Sequence, residues 1–232
     1  MKLFKLWAVV VFIVLVPIQV CPSQDTDRIY QNGVGYAVSD KIEEAKVFFS
    51  LVLKIDPLDQ YAGQALRIID DLSNKKIKRE TFLHLFKGIS QTMDTRWNQA
   101  IEECNQALAL NPQQYAVIYL ERGQAWHCKG DYDSAANDYS KAIALDPRFA
   151  DAYYWRGLSW IAIGDDDRAI KDLSTALGID PRNIHAYLSR GNTLYKKGDF
   201  KSAIIDYSKV LEINPKNADG LFKPRELLAQ KT

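Results

Sequence analysis

Apolar residues recur every three or four positions through most of the chain beyond residue 25, in segments of about 12 to 14 residues. This spacing predicts amphipathic α-helices, because a strand would alternate with a period of two. The helices come in pairs. Within a pair, a glycine that can adopt a positive φ precedes an aspartate that can cap the next helix, at Gly130-Asp131, Gly164-Asp165 and Gly198-Asp199. After each pair a proline stops the helix, at Pro147, Pro181 and Pro215.

The helix pairs repeat at a constant interval of 34 residues. Three sets of residues keep this interval: Gly123, Gly157 and Gly191; Ala135, Ala169 and Ala203; and the Tyr-x-x-Arg-Gly motifs that begin at Tyr119, Tyr153 and Tyr187. On these residues the chain resembles the tetratricopeptide-repeat family, whose signature is a helix-turn-helix unit of this length. The resemblance implies an all-α fold, a right-handed α-solenoid of stacked helix-turn-helix repeats. The motif is also similar to repeats that are common in bacterial proteins.

Five repeats are predicted, because the same template also fits two weaker units around Gly33 and Gly88. The segment between these two units has a helical pattern, and it is open whether it is a decayed half-repeat or a spacer helix. The last segment resembles the extra helix that covers the open end of a solenoid. The predicted boundaries are 26–59, 81–114, 116–149, 150–183 and 184–217 for repeats 1 to 5, 60–80 for the helical insertion and 218–230 for the C-terminal capping helix.

An arginine precedes the glycine in each of the last three repeats, beside the predicted core. A charge in that position needs a partner, because unpaired charges are almost never buried. An aspartate stands 16 residues downstream each time, and Lys87 and Glu103 have the same relation in repeat 2. The predicted structural ion pairs are Arg122 with Asp138, Arg156 with Asp172, and Arg190 with Asp206. The repeated glycine is expected to face the repeated alanine, which lets the two helices approach closely.

A second stripe of side chains lies about 120° around the first helix of each repeat from its core stripe. Stacking would align these stripes on one side of the solenoid. In the tetratricopeptide-repeat family that side is the concave groove that receives a partner segment, so the resemblance gives the stripe a binding role. The partner-binding groove residues are Phe82, Leu85, Ile89, Leu120, Gln124, His127, Tyr154, Leu158, Ile161, Leu188, Asn192 and Tyr195.

The predicted groove is mostly apolar and aromatic, which favours a protein or peptide partner that buries Leu, Phe or Tyr side chains. Some family members grip an acidic chaperone tail with lysine and asparagine, but Asn192 alone resembles part of such a clamp. Two other interpretations stay open. The superhelical twist could bury these residues against neighbouring repeats, or the segment 60–80 could fill the groove.

The first 23 residues have the layout of a secretory signal, with Lys2 and Lys5 near the start of an apolar run over residues 6–20. This run is shorter than the roughly 20 residues that cross a bilayer as a helix. We expect export to a periplasmic, lumenal or secreted location. A retained membrane anchor through residues 6–20 and an ordinary buried helix are the alternatives. Lipidation at Cys21 is a minority interpretation, because the residues before it are not small.

Charge and composition point to no ligand other than protein. The 30 Lys and Arg residues balance 29 Asp and Glu residues, so no overall field favours nucleic acid or an anionic membrane. His84, His127 and His185 lack metal-ligand spacing, and no phosphate loop or nucleophile motif is present. Cys104 and Cys128 are expected to be reduced thiols, and a bridge between them is not favoured. We therefore expect no metal, no cofactor, no small-molecule substrate and no enzymatic activity.

These features together predict an exported protein-interaction scaffold or assembly factor that binds a partner segment in its concave groove. Any contact with a membrane would be through the N-terminal segment. The alternative is a permanently docked accessory subunit of a membrane-bound enzyme complex. A transient scaffold should be a well-behaved monomer when isolated, whereas a permanent subunit should aggregate.

Overall fold

The computed structural model describes residues 22–57, 59–110 and 115–214. Helices are the regular elements of this part of the chain, and no strand occurs in it. The eleven helices are α1 (Pro22–Val38), α2 (Ile42–Ile55), α3 (Gln60–Ser73), α4 (Arg79–Met93), α5 (Trp97–Leu110), α6 (Ala116–Cys128), α7 (Tyr132–Leu145), α8 (Ala150–Ile163), α9 (Asp166–Ile179), α10 (Ile184–Lys196) and α11 (Phe200–Ile213).

Five helix pairs stack in chain order: α1 with α2, α4 with α5, α6 with α7, α8 with α9, and α10 with α11. The second helix of a pair packs against the first helix of the next pair from α5 onward, and the first helices also contact one another in the order α1, α4, α6, α8 and α10. Each pair therefore buries its apolar sides against its neighbours. This regular stacking confirms the predicted all-α solenoid.

The turn inside each of the last three repeats follows the predicted chemistry. Gly130, Gly164 and Gly198 have φ values of 87°, 94° and 83°. The aspartate after each glycine accepts a hydrogen bond at Oδ1 from a backbone N–H three residues later, at 2.9 to 3.1 Å. In repeats 1 and 2, Asp40 and Thr95 hold this left-handed position, each with a φ of 60°. Side chains with a Cβ adopt that region at a cost of about 1–2 kcal/mol.

The repeated glycine permits close contact between the two helices of a pair, but with a different residue from the predicted one. A Cβ on Gly123 would lie 2.6 Å from the Tyr139 ring, and one on Gly157 would lie 3.0 Å from Leu173. Gly191 faces Tyr207 in the same way. These partners follow the repeated alanine by four residues, one helical turn. The glycine therefore makes room for a large side chain rather than for the alanine.

The insertion forms one helix, α3, followed by a turn into α4, and is therefore not a helix pair. Its apolar side contains Ala62, Ala65, Ile68 and Ile69, and all four are buried in the cluster that repeats 1 and 2 share. The first helices α1 and α4 stay packed against each other, so α3 does not interrupt the stack. It is an added element that packs mainly against α2 and more lightly against α4.

The predictions for the chain ends fall mostly outside the described residues. The secretory-signal segment 1–23 overlaps them at Pro22 and Ser23, which begin α1, four residues before the predicted start of repeat 1. The predicted capping helix 218–230 lies wholly outside them. No helix in the described ranges is both long and apolar enough to span a bilayer.

Candidate protein-binding groove

The structure contains all three predicted ion pairs, with the same bidentate geometry in each. Arginine Nε and Nη2 donate to the two carboxylate oxygens at 2.6 to 2.8 Å. The aspartates Asp138, Asp172 and Asp206 are buried. Paired guanidinium and carboxylate groups of this kind form strong charge-assisted hydrogen bonds. Each pair joins the first helix of a repeat to the second.

The same arginines also join neighbouring repeats. The Nη1 atoms of Arg156 and Arg190 donate to Ser140 and Ser174 of the preceding repeat, both at 2.9 Å, and Arg122 donates to Asn105 at 2.6 Å. The tyrosine of the Tyr-x-x-Arg-Gly motif places its ring 5.7 to 5.8 Å from the guanidinium carbon. The 34-residue spacing of the two serines could have revealed this contact in the sequence. All three nitrogens of each guanidinium therefore donate hydrogen bonds within the solenoid.

In repeat 2, the carboxylate of Glu103 on the second helix is paired with His84 and not with Lys87, the expected partner. His84 Nδ1 lies 2.6 Å from Glu103 Oε2. His84 is one helical turn before Lys87 on α4. The histidine therefore has a structural contact between the two helices of repeat 2.

Five of the predicted groove residues are buried, and four of these are apolar. Phe82, Leu85, Ile89 and Leu120 have between 0 and 2% of their surface exposed. The first three pack in the cluster that also contains the apolar side of α3, and Leu120 packs with Phe149 and Tyr61. These side chains are not available to a partner in this conformation, which corrects the predicted groove.

Helix α3 packs against α2 and contacts the first helices α1, α4 and α6 of repeats 1 to 3. Its Tyr61 ring contacts Tyr30 of α1 and Phe149 at the start of α8, with centroid distances of 6.1 and 6.3 Å. The predicted groove residue Gln124, also buried, donates from Nε2 to the Tyr61 hydroxyl at 3.2 Å. At the other end of α3, Asp71 accepts a hydrogen bond from the Tyr115 hydroxyl at 2.8 Å. This arrangement matches the interpretation in which the segment 60–80 fills the groove.

The remaining predicted groove residues lie on α6, α8 and α10. His127 is half-buried, with Nδ1 3.0 Å from Ser159 Oγ and its ring against Trp155. Burial lowers its pKa below the ordinary value. Six others keep part of their surface free, and we call them the open groove face: Tyr154, Leu158, Ile161, Leu188, Asn192 and Tyr195.

The open groove face carries no charged side chain. Apart from Asn192 its members are leucine, isoleucine or tyrosine, and Asn192 Oδ1 accepts a hydrogen bond from the Tyr207 hydroxyl at 2.9 Å. The amide oxygen is therefore committed to the second helix of its own repeat.

Carboxylates that the sequence analysis did not select collect near α3. Glu121 on α6 is 4% exposed, and burial together with the nearby Asp151 raises its pKa to about 8. Burial also raises the pKa of Asp151 to about 7, and it raises that of Asp59, the N-cap of α3. No sequence signal marked these residues, because they come from three separate segments that meet when α3 packs against the solenoid.

A polar cavity of about 580 Å³ lies between the first repeat and the loop that joins repeats 4 and 5. Its lining includes Asp56, Asp59, Asp180, Arg182 and His185. Across the described ranges, no group of three or more His, Cys, Asp or Glu side chains has the arrangement of a metal site. Cys104 is buried, Cys128 is exposed, and both are free thiols.

Family models match residues within the C-terminal half of the chain. A model described as TPR repeat matches residues 123–159 and 161–198, and one described as tetratricopeptide repeat matches residues 185–217. These ranges cover repeats 3 to 5, where the 34-residue motifs are complete. The matches agree with the helix pairs observed there.

Known proteins with related sequence or structure were also found. The peptidyl-prolyl cis-trans isomerase PASTICCINO1 of Arabidopsis thaliana is 29% identical over 126 residues, which are 53% of this chain and 18% of that protein. The chain thus matches less than a fifth of that relative. The crystal structure of MamA is 26% identical with a TM-score of 0.54, covering 81% of this chain and 96% of MamA. A tetratricopeptide-repeat protein of Thermus thermophilus, 20% identical, shares the fold with a TM-score of 0.56 over 88% of this chain and 99% of its own.

Proposed function

We propose that this chain is an exported scaffold or assembly factor that binds a partner segment at its open groove face. The proposal starts from its membership of the tetratricopeptide-repeat proteins, a family of protein-interaction scaffolds. All three nitrogens of each motif guanidinium are used within the solenoid, so the recurring chemistry of the repeat builds the stack and leaves binding to other residues. The open groove face is the observation that carries the proposal.

The chemistry of the open groove face defines the partner. Tyr154 and Leu158 lie on α8, and Leu188 and Tyr195 lie on α10, which contacts α8. Apolar and aromatic pockets of this kind bind Leu, Phe or Tyr anchors of a partner. The binding segment is therefore apolar, and an acidic tail is a poor ligand.

A charge placed on the open groove face tests this function. Leu158→Glu should reduce recovery of a specific partner in pull-downs from the cell envelope at least tenfold, because a buried interface excludes an unpaired carboxylate. Ile205→Glu makes the same chemical change at a residue of α11 that is 56% exposed, and it serves as the matched control. Equal recovery of all proteins by both variants would disprove binding at this face.

Export is the second part of the proposal, and it rests on the apolar run over residues 6–20 with its two lysines. Residues 1–24 fused to a reporter that is active only after translocation should give activity. Replacing Val11 and Val14 with aspartate should abolish that activity. A fusion that stays inactive would refute export. An isolated chain that aggregates would instead favour a permanently docked accessory subunit.

We propose a non-enzymatic role. The isomerase activity in the name of the Arabidopsis relative belongs to that protein, of which this chain matches 18%. The raised pKa values of Glu121 and Asp151 result from burial and from repulsion by neighbouring carboxylates, and neither residue lies on the open groove face.

A further inference from the structure

Helix α3 packs mainly against α2, and it also contacts the first helices of repeats 1 to 3, as a bound partner helix would. It belongs to no helix pair, and exposed residues flank its C-terminal end at Asn74, Lys75 and Lys76. Its contacts with the stack include the Tyr61 cluster at one end and the Tyr115–Asp71 hydrogen bond at the other. The stacking of α1 on α4 does not pass through α3.

Docked α3 leaves one buried hydroxyl of the solenoid without a hydrogen bond. Tyr207 in repeat 5 donates to Asn192, and the equivalent residues in repeat 3, 68 positions earlier, are Tyr139 and Gln124. Gln124 instead donates to Tyr61 of α3, and the Tyr139 hydroxyl is buried without a partner among the described residues. An unpaired buried hydroxyl is unfavourable. When α3 is absent, Gln124 is free to bond Tyr139 as Asn192 bonds Tyr207.

Docked α3 also confines a carboxylate. Glu121 precedes Gln124 by three residues on α6, so both face Tyr61 on the same side of that helix. Glu121 is 4% exposed, and its charged form is disfavoured by this burial and by the nearby carboxylate of Asp151. The titratable groups that interact with it are Tyr30 of α1, Tyr61 of α3, Cys104 of α5, Tyr139 of α7 and Asp151 of α8. None of these groups supplies a positive charge.

We propose that α3 is an autoinhibitory plug, a built-in substitute for a partner helix that undocks as a unit and so opens the groove of repeats 1 to 3. This inference rests on the proposed function, because a plug matters only if the groove binds a partner. The groove beneath it then accepts an amphipathic helix with the pattern of α3, a tyrosine followed by small and β-branched apolar residues at helical spacing. The unpaired Tyr139 hydroxyl and the confined Glu121 make the docked state weaker than an ordinary core helix.

The ionisation of Glu121 gives the undocking a pH dependence with a defined sign. The pKa of Glu121 is about 8 in the docked state, against an ordinary value of 4.5. The protonated form is therefore favoured when α3 is docked, and docking loses stability as the pH rises from 4.5 to about 8. In that range the undocking constant should rise by up to about tenfold per pH unit.

Hydrogen exchange of the full chain, measured at pH 5 to 8 and corrected for intrinsic rates, tests the plug. The equilibrium constant for local opening of residues 60–73 should be at least tenfold larger than the constants for α2 and α4. It should also increase with pH. Equal opening constants for α3 and its neighbours at every pH would mean that α3 is an integral part of the core, and the proposal would be overturned.

Substitution of the confined carboxylate separates this mechanism from general destabilisation. Glu121→Gln keeps the size of the side chain but cannot ionise, so α3 should become at least tenfold better protected at pH 8. The increase of its opening between pH 7 and 8 should disappear, whereas Asp151, whose pKa is about 7, still titrates at lower pH. Glu43→Gln, on the exposed side of the neighbouring helix α2, is the matched control and should change neither quantity. A Glu121→Gln variant with wild-type protection and pH dependence would refute the role of Glu121 in release.

A separate peptide with the sequence of α3 tests the docking site directly. A synthetic peptide of residues 59–77 should bind the Tyr61→Ala variant, whose own plug is weakened, at least tenfold more tightly than the wild type. Circular dichroism verifies that the variant remains folded, and Tyr61→Phe provides a milder second variant. Equal, negligible binding to all three folded chains would overturn the proposal. The Leu158→Glu pull-down concerns repeat 4, so either test can fail while the other succeeds.

Discussion

Replacing Arg156 with methionine examines what holds consecutive repeats together. Arg156 on α8 donates from Nε and Nη2 to Asp172 at 2.7 and 2.8 Å, and from Nη1 to Ser140 of the preceding repeat at 2.9 Å. Methionine keeps the apolar stem of the side chain and removes the charge. Among the described residues, Asp172 would then keep one side-chain donor, Trp160 Nε1 at 3.0 Å.

The expected loss follows from the burial of the pair. The Asp172 side chain is 8% exposed and that of Arg156 is 20% exposed. Removing one member of a buried ion pair costs about 3–5 kcal/mol, since the other charge stays buried without compensation. Because solvent reaches part of Arg156, we expect about 3 kcal/mol. Removing both charges, in Arg156→Met with Asp172→Leu, should restore most of this loss.

The exposed pair between Lys209 and Glu212 is the matched control. Its side chains are 46% and 68% exposed, so Lys209→Met should cost about 1 kcal/mol or less. Urea unfolding followed by circular dichroism measures the free energy of unfolding, and hydrogen exchange of α8 and α9 shows whether the loss is local to repeat 4. A loss below about 1 kcal/mol in Arg156→Met, or a double variant no more stable than the single one, would refute this reasoning.

Two further substitutions test the backbone geometry of the repeats by thermal unfolding. Thr95→Gly should stabilise the chain by about 1 kcal/mol, because Thr95 has a φ of 60° in a turn where later repeats have glycine. An unchanged or lower melting temperature would contradict this prediction. Gly123→Ala should destabilise by about 1–3 kcal/mol, because the new Cβ would lie 2.6 Å from the Tyr139 ring. Gly35→Ala on α1, where no atom lies within 4 Å of the new Cβ, is its control and should be neutral or stabilising.

The features that were predictable depend on local rules repeated at a constant interval. The caps at Asp131, Asp165 and Asp199 need a residue type and a distance along the chain, and both can be read directly. The pairing of Arg156 with Asp172 was predictable for the same reason, because the separation of 16 residues occurs three times. In repeat 2 the separation of 16 residues is kept by Lys87 and Glu103, but the arginine and aspartate of the later repeats are absent. There the prediction missed His84, which contacts Glu103.

The candidate site was less predictable, because it depends on how an element outside the repeat packs. A helical wheel places Phe82 and Leu120 on the groove side. It describes one helix at a time, so it does not show that another helix covers these residues. The interaction of Glu121 with Asp151 joins residues of two different repeats, and Tyr61 reaches both of them from the insertion. No periodicity in the sequence encodes these long-range contacts.

The sequence by itself determined the helices, their pairing and the solenoid, because each repeat carries its own turn, cap and ion pair and needs only its neighbours to bury its apolar sides. Tertiary structure alone decided which part of the concave side stays open. That outcome depends on the packing of α3, a helix whose amphipathic pattern specifies a buried face but not the surface that buries it.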